Sequence, residues 1–371
     1  MGFEAGGTSL VDDRFYMKEA LRLARKGRGK VSPNPLVGAL VVKGETVVAR
    51  GYHRAFGEAH AEVNTLLALG DEARGATLYV NLEPCSHYGK TPPCVDLIIE
   101  KGVGRVVVGT RDPNPQVAGK GIRILQDREI RLTVGVLEEE CRTLNRPFFK
   151  YWETGLPFVT LKMAQSLDGR IATRSGSSRW ISSPESLRLA HRWRAMHDAV
   201  MVGIDTVLKD DPSLTVRLVK GRNPRRIIVD STVRIPLEAK VLSDDKATTT
   251  ILTTHQADEE RIKEVETIRA RVLQVKENAE GGVDLRAALE ALAREGITSI
   301  LVEGGARLAT SLLKARLVDE LLWVIGPKIM GKGIEAVGDL GIREISQAIP
   351  LSVEKTRRAG EDLIVLARLH S

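Results

Sequence analysis

The hydrophobic pattern of the first part of the chain predicts helices and strands in alternation. Apolar side chains recur at helical spacing over residues 15–24, where Asp12 or Asp13 can cap a helix and Gly27 can end it. The alternation that follows predicts a mixed or parallel sheet covered by helices on both faces. The predicted strands cover residues 36–42, 46–52, 77–82, 105–109 and 131–134, and the further helices cover residues 60–69, 94–101 and 121–126.

The pattern breaks at residues 145–157, where two prolines, a glycine and several aromatic side chains follow a helical run. This break predicts two α/β domains, residues 1–150 and 151–371. In the second domain helices and strands alternate again, and the last two strands should pair as an antiparallel hairpin. The strands are predicted at residues 158–163, 199–203, 226–230, 249–253, 272–275, 299–303, 320–325, 351–356 and 363–369, and the helices at residues 184–195, 259–269, 285–295 and 306–317.

Composition narrows the class of protein. Of 371 residues, 43% are hydrophobic and 28% are charged, which is typical of folded globular proteins. The net charge of +7 is spread over both halves, and aromatic residues make up only 4%, so the sequence does not favour nucleic-acid binding. Three cysteines are too few for a disulfide framework, and an odd number cannot all be paired within one chain. With no signal-like N-terminus and no long apolar run, a cytoplasmic protein without a membrane span is expected.

The strongest local signal is a histidine followed by two cysteines. His60 and Glu62 form an H-x-E motif, and Cys85 and Cys94 follow beyond a predicted strand. One imidazole and two thiolates are the three protein ligands that a catalytic zinc site requires, with a fourth position open for water. Glu62 is then placed to shuttle protons rather than to bind the metal. The alternative is a closed structural site in which His53 or His87 supplies a fourth ligand.

These motifs resemble the zinc nucleoside and nucleobase deaminases, although eight residues rather than two separate the cysteines. The longer spacing, with Pro33-Asn34-Pro35-Leu36-Val37-Gly38 and Gly51-Tyr52-His53, resembles the deaminase half of the bifunctional riboflavin-biosynthesis enzymes. The resemblance implies a cytidine-deaminase-like fold. It also implies that Asn34 holds the ring or ribose and that His53 and Lys90 lie around the substrate phosphate. A turn residue at Asn34 and a solvated lysine at Lys90 are the structural alternatives.

The second half lacks the G-x-G-x-x-G motif of Rossmann domains. Its segments 161–172, 178–182, 206–212, 214–217 and 302–305 instead resemble the reductase half of the same enzymes, which is similar in fold to dihydrofolate reductase and uses NADPH. The resemblance implies cofactor contacts at Ala164, Trp180, Thr206, Asp210, Gly304 and Gly305, and substrate contacts at Ser178, Arg194, Leu214, Arg217 and Glu303.

Simple chemistry supports part of this assignment. Gly304 and Gly305 lie where a predicted strand passes into a helix, so backbone N–H groups can meet a pyrophosphate. Arg194 and Arg217 suit a sugar phosphate because guanidinium groups bind phosphate bidentately. Lys162, on the first strand of the domain, could polarise or protonate the sugar near C1. The structural alternatives are an ordinary strand-to-helix turn for the two glycines, surface ion pairs for the two arginines and a structural role for Lys162.

The sequence therefore predicts a bifunctional riboflavin-pathway enzyme that binds Zn²⁺ and NADPH. By the resemblance, it deaminates 2,5-diamino-6-ribosylamino-4(3H)-pyrimidinone 5′-phosphate and then reduces the ribosyl chain to ribityl. Its partner is a phosphorylated pyrimidine, with no nucleic acid and no membrane, and a homo-oligomer is possible. Two alternatives are a zinc nucleoside or tRNA deaminase with an inactive reductase-like domain, and a zinc-containing nucleic-acid-binding protein.

Overall fold

The structure, a computed structural model, describes residues 10–88 and 92–369. The chain divides into two compact units, Met1–Thr154 and Gly155–Ser371. Within the described residues, no helix has both the length and the apolar character that crossing a membrane requires.

The first unit contains a five-stranded sheet with the order β2-β1-β3-β4-β5. β1 pairs antiparallel with β2 and β3, whereas β3, β4 and β5 are parallel. The strands are β1 (Gly38–Lys43), β2 (Thr46–Tyr52), β3 (Thr77–Leu82), β4 (Arg105–Thr110) and β5 (Arg131–Val134). The helices are α1 (Leu10–Ala24), α2 (Ala61–Leu66), α3 (Cys94–Glu100), α4 (Lys120–Asp127), α5 (Glu138–Leu144) and α6 (Arg146–Thr154), with 3-10 turns at Arg25–Gly27 and Gly70–Ala73.

Both faces of this sheet are buried. Along β1, Leu40 and Val42 pack into a core with α1 and α5, while Ala39 and Val41 pack on the opposite side with α2 and α3. Successive side chains of a strand point to opposite faces, so two apolar cores require helices on both sides. This confirms the predicted mixed sheet with two helical layers.

Two details of the first unit differ from the sequence prediction. Asp13 does not cap α1, because it lies inside the helix, where its carboxylate accepts hydrogen bonds from Tyr79 and Arg105. The aromatic stretch before the second unit forms helix α6, since Phe148 and Phe149 are buried beside Leu82, and the two units divide after Thr154, within the predicted break at residues 145–157. The predicted boundary after residue 150 falls inside this helix.

The second unit contains a nine-stranded sheet with the order β11-β10-β9-β8-β12-β6-β13-β16-β15. The seven strands from β11 to β13 are parallel, and β16 and β15 continue the sheet antiparallel. The strands are β6 (Phe158–Ser166), β7 (Arg170–Thr173), β8 (Ala199–Gly203), β9 (Arg225–Val229), β10 (Thr249–Thr254), β11 (Ala270–Val275), β12 (Ser299–Glu303), β13 (Glu320–Gly326), β14 (Gly333–Glu335), β15 (Leu351–Ala359) and β16 (Asp362–Leu369). The helices are α7 (Pro184–Met196), α8 (Ile204–Asp210), α9 (Lys240–Ser243), α10 (Glu259–Thr267), α11 (Leu285–Arg294) and α12 (Ala306–Lys314), with a 3-10 turn at Ile345–Gln347.

The predicted closing hairpin is confirmed as β15 and β16. The sequence pattern missed helix α8 and the small ribbon of β7 and β14, which pairs outside the main sheet. Parallel strands β8 and β12 are neighbours, and each passes directly into a helix, α8 and α12. Two helix starts therefore lie side by side at the carboxyl edge of the sheet, the usual position of ligands in open α/β sheets.

Candidate active sites

The three predicted zinc ligands come together in the first unit. His60 lies just before α2, Cys94 opens α3, and Cys85 follows the end of β3. The Nδ1 atom of His60 lies 3.3 Å from the Cys94 sulfur and 3.5 Å from the Cys85 sulfur. The ligand atoms of all three residues lie within 4.8 Å of one another.

This cluster fits a zinc ion. In a tetrahedral site with Zn–S bonds of about 2.3 Å, neighbouring ligand atoms are about 3.5–4 Å apart, close to the spacings seen here. The Cys94 backbone N–H donates to the Cys85 sulfur at 3.3 Å. The hydrogen bond from the Cys94 thiol holds the pKa of Cys85 well below its usual range, so thiolate charge is stabilised at this position even before a metal is bound. Among the described residues the cluster has three members, which leaves a fourth position open.

Glu62 lies in the first turn of α2, beside the cluster. Glu62 is only 3% exposed. Burial raises the pKa of Glu62 to about 7, so that the carboxyl group can take up and release a proton near neutral pH.

His53 does not supply a fourth ligand. Its Nδ1 faces the Ala59 carbonyl at 3.1 Å and therefore carries the proton, which leaves Nε2 to accept a hydrogen bond from the Asn34 amide at 3.1 Å. Burial lowers the pKa of His53, which favours this neutral form. The His53 ring lies 5.4 Å from that of His60, so the structure brings Asn34 and His53 to the edge of the metal cluster. Lys90 lies outside the described residues.

The sequence analysis missed Asp112, a buried carboxyl group that lies close enough to Cys85 for the charge of the thiolate to affect it. Burial raises the pKa of Asp112 to about 7, and the charges of Glu83 and Cys85 act in the same direction. The order of the predicted strands could have indicated that Asp112 lies near Cys85. Cys85 and Asp112 follow β3 and β4, two adjacent parallel strands, whose carboxyl ends meet at one edge of the sheet.

In the second unit, the twelve predicted cofactor, substrate and catalytic residues line a single cavity of about 730 Å³. They come from separate elements along the chain, including β6, α7, α8 and the turn between β12 and α12. The residues are Lys162, Ala164, Ser178, Trp180, Arg194, Thr206, Asp210, Leu214, Arg217, Glu303, Gly304 and Gly305.

The floor of the cavity carries a cluster of charges. Lys162 and Glu303 are register partners on β6 and β12. Arg194 donates from Nε to Glu303 Oε1 at 2.5 Å and from Nη2 to Oε2 at 3.0 Å. Burial opposes ionisation of Glu303, but the Arg194 guanidinium overcomes it and lowers the pKa of Glu303 to about 2. Burial lowers the pKa of Lys162, against the opposing charge of Glu303, which eases proton release from its ammonium group.

The two predicted phosphate-binding arginines differ in their partners. Arg194 is engaged by Glu303 and also donates to the Thr215 carbonyl at 3.1 Å. Arg217 donates from Nη1 to the Thr215 hydroxyl at 3.0 Å, and within the described residues it has no acidic partner. Arg217 is thus the arginine with donors available to an anionic ligand.

The turn after β12 fits a phosphate-bearing cofactor such as NADPH. Gly305 is the residue before α12, so the first N–H groups of the helix are available. A Cβ atom at Gly304 would lie 3.3 Å from the Thr206 hydroxyl, across the start of α8. Glycine therefore keeps open the space between the two helix starts. The cavity is also lined by cationic side chains to which the sequence analysis assigned no role: Arg179, Lys209, Lys240 and Arg307.

Comparisons with known proteins cover both units of the chain. The model of the cytidine and deoxycytidylate deaminase zinc-binding region matches residues 10–110, and that of the RibD C-terminal domain matches residues 157–365. The riboflavin biosynthesis protein RibD of Aquifex aeolicus is 47% identical over 354 residues, which cover 95% of this chain and 97% of the relative. This chain belongs to the RibD family.

Solved RibD structures match the fold of the whole chain. Acinetobacter baumannii RibD superposes with a TM-score of 0.89 at 34% identity, covering 98% of this chain and 100% of the other. A Thermotoga maritima protein described as a diaminohydroxyphosphoribosylaminopyrimidine deaminase/5-amino-6-(5-phosphoribosylamino)uracil reductase gives 0.84 at 37% identity, with coverage of 97% and 99%. This RibD chain is accordingly a bifunctional deaminase and reductase of riboflavin biosynthesis that uses Zn²⁺ and NADPH.

Proposed function

We propose that the unit Met1–Thr154 deaminates 2,5-diamino-6-ribosylamino-4(3H)-pyrimidinone 5′-phosphate at its 2-amino group. The unit Gly155–Ser371 then reduces the ribosyl chain of the product, 5-amino-6-(5-phosphoribosylamino)uracil, to ribityl. The observation that carries this proposal is the coexistence, in one chain, of a His/Cys/Cys cluster beside a buried glutamate and a cation-lined cavity at two helix starts.

In the deaminase unit, His60, Cys85 and Cys94 would hold the metal. Zinc bound there supplies the Lewis acidity that makes water nucleophilic at neutral pH. The Glu62 carboxylate accepts one proton from the attacking water and passes it to the ring nitrogen. It then accepts the remaining proton of the added hydroxyl group and passes it to the 2-amino group, which leaves as ammonia while the carbonyl forms. Asn34 and His53 orient the pyrimidine or its ribose, and Lys90 contacts the phosphate.

In the reductase unit, Ala164, Trp180, Thr206, Asp210, Gly304 and Gly305 would hold NADPH. The cofactor supplies the hydride. Lys162 orients the sugar near C1 and provides a proton to its oxygen, which its lowered pKa facilitates. Ser178 and Leu214 shape the substrate side of the cavity.

The charged groups of the reductase unit divide their work. Arg217 binds the 5′-phosphate of the substrate with donors that no acidic side chain among the described residues occupies. Arg194 binds substrate next to it, with its orientation held by Glu303. Glu303 in turn accepts hydrogen bonds from substrate or from Lys162.

We keep two further expectations as proposals. A homo-oligomer is supported by the exposed strand β15, which leaves one edge of the nine-stranded sheet without a pairing strand among the described residues. Light scattering coupled to size-exclusion chromatography measures its mass. A cytoplasmic location is supported by Cys85, Cys94 and Cys141, which form no disulfide with one another.

Product analysis tests the proposed function. The full chain is supplied with the diaminopyrimidine phosphate, with and without NADPH, and products are separated by chromatography. We expect ammonia and the deaminated ribosyl compound without NADPH, and the ribityl compound only with it. Ammonia release with no reduction would favour the alternative of an inactive reductase-like domain. If neither ammonia nor the ribityl compound forms, both the deaminase and the reductase assignments are contradicted. A salt titration of non-specific DNA binding addresses the nucleic-acid alternative.

The two activities should also separate, because each unit has its own cores. A chain that begins at Gly155 is expected to fold, bind NADPH and reduce 5-amino-6-(5-phosphoribosylamino)uracil. A folded chain 155–371 without NADPH binding would contradict the proposed division of labour.

A further inference from the structure

The segment Ser213–Arg217 crosses the reductase cavity without regular secondary structure. Leu214 has a φ of +51°, a left-handed backbone conformation that residues other than glycine rarely adopt. Backbone groups in such a segment have no helix or sheet partners, so other groups must satisfy them. What holds this segment in shape therefore decides where Leu214 and Arg217 lie.

Four backbone groups of this segment are bound by side chains from elsewhere in the chain. Three of these bonds involve two carbonyl oxygens and one backbone N–H. Arg226 Nε donates to the Ser213 carbonyl at 3.0 Å, Arg194 Nη1 donates to the Thr215 carbonyl at 3.1 Å, and the Val216 N–H donates to Asn223 Oδ1 at 2.7 Å.

The fourth bond concerns the phosphate-binding residue itself. The backbone N–H of Arg217 donates to Nδ1 of His191 at 3.0 Å. His191 is only 6% exposed and does not line the cavity. It precedes Arg194 by three residues on α7, so both side chains lie on the same face of the helix. One helix face thus holds the segment at two successive points, Thr215 and Arg217.

This bond requires an unprotonated Nδ1, because a backbone N–H can donate only to a lone pair. Burial and the charges of Arg194 and Arg217 lower the pKa of His191 to about 4, which keeps the ring neutral under physiological conditions. The geometry and the charge state agree.

We propose that His191 is a positioning residue for the reductase reaction: by fixing the backbone of Arg217, it sets the direction of the guanidinium that holds the substrate phosphate. The inference rests on the proposed role of Arg217. His191 touches neither substrate nor cofactor in this scheme. Its effect should therefore appear in substrate binding, and only for a substrate that carries the phosphate.

The test is a kinetic comparison of full-length variants with 5-amino-6-(5-phosphoribosylamino)uracil and its dephosphorylated form. His191→Leu removes the acceptor, and the loss of one hydrogen bond is expected to raise the KM for the phosphorylated substrate about fivefold to tenfold. The KM for the dephosphorylated substrate and the rate of deamination should not change. His191→Asn should restore near-normal KM, because its Oδ1 is the same number of bonds from Cβ as Nδ1.

Two controls separate positioning from general loss of stability. His197 lies just after the end of α7 and has the same 6% exposure as His191, but it bonds Thr160 and the Trp193 carbonyl instead of the segment. His197→Leu should lower thermal stability without the selective rise in KM. In the Arg217→Ala background, His191→Leu should add nothing to the KM, since both changes remove the same interaction.

If His191→Leu does not fold, His191→Gln replaces it as the test variant. The Gln oxygen lies one carbon farther out than Nδ1 of His191, so the same rise in KM is expected.

The outcomes distinguish the two levels of the argument. If Arg217→Ala leaves the KM for the phosphorylated substrate unchanged, the phosphate role of Arg217 fails, and the inference about His191 fails with it. If Arg217→Ala raises that KM but the His191 variants do not, only the positioning role is wrong. Equal defects in His191→Leu and His191→Asn, or equal effects on both substrates, would also overturn it.

Discussion

Arg194 and Glu303, 109 residues apart in the chain, form a two-pronged ion pair at the floor of the reductase cavity. Their side chains are 12% and 11% exposed, so the pair is largely shielded from water. The pair joins α7 to the end of β12 and leaves a third donor of Arg194 to hold the Thr215 carbonyl. A single buried contact therefore connects the substrate side of the cavity to the strand that leads into the cofactor turn.

This pair makes stability depend on pH. Glu303 has a pKa of about 2 instead of 4.5, so folding favours its ionised form. That contribution is fully present above about pH 4.5 and is lost as the pH falls towards 2; the shift corresponds to about 3 kcal/mol. We expect Glu303→Gln to lower the melting temperature clearly at pH 7, and the difference from wild type to shrink at pH 3.

Calorimetry at the two pH values measures this effect. Glu185→Gln is the matched control, since Glu185 forms an exposed pair with Arg188 on α7, and such pairs contribute about 0–1 kcal/mol. A Glu303→Gln difference that stays constant between pH 7 and pH 3 would show that the carboxylate charge does not stabilise the fold.

Zinc content tests the first site. We expect about one zinc per wild-type chain, because the cluster has three ligands and an open position. Cys85→Ser should lose the metal and, with it, deamination. Cys141→Ala is the control: Cys141 is buried against the α1 side of the sheet, outside the cluster, and its loss should leave the zinc content unchanged. Elemental analysis of both variants checks this, and full zinc in Cys85→Ser would exclude Cys85 as a ligand.

The role of Glu62 is separable from metal binding. Glu62→Gln keeps the size of the side chain but cannot carry a proton, so we expect normal zinc content and a loss of deamination of ~10²–10⁴-fold. Reduction of the already deaminated substrate, measured on the same preparation, should be normal. Ammonia release near the wild-type rate would rule out proton transfer by Glu62.

Arg217 is expected to discriminate by phosphate. Arg217→Ala should raise the KM for the phosphorylated substrate strongly, and Arg217→Lys should do so less, because lysine keeps the charge but loses the planar fork. Deamination should not respond. Wild type and Arg217→Ala are then compared with substrate lacking the 5′-phosphate. If both enzymes prefer the phosphorylated form equally, Arg217 serves a structural purpose instead.

Much of the candidate sites could be predicted because their signals are local. The H-x-E motif and the glycine pair sit at helix starts that short-range patterns reveal, and the structure has those starts at α2 and α12. The ends of helices and strands were harder to predict where apolar residues pack against residues distant in the sequence. The stretch Arg146–Thr154 has the composition of a linker, but burial of Phe148 and Phe149 makes it a helix.

The sequence by itself predicted the alternation of helices and strands, the three residues that cluster as candidate zinc ligands beside Glu62, and the residues that line the cavity of the second unit. Only the tertiary structure decided how these residues are paired. It assigned Arg194 to Glu303, left Arg217 without an acidic partner among the described residues, and brought His191 under the Arg217 backbone. The physical reason is that a motif reflects the conformational preferences of neighbouring residues, whereas hydrogen bonds between residues 26 and 109 positions apart exist only once separate strands and helices have packed.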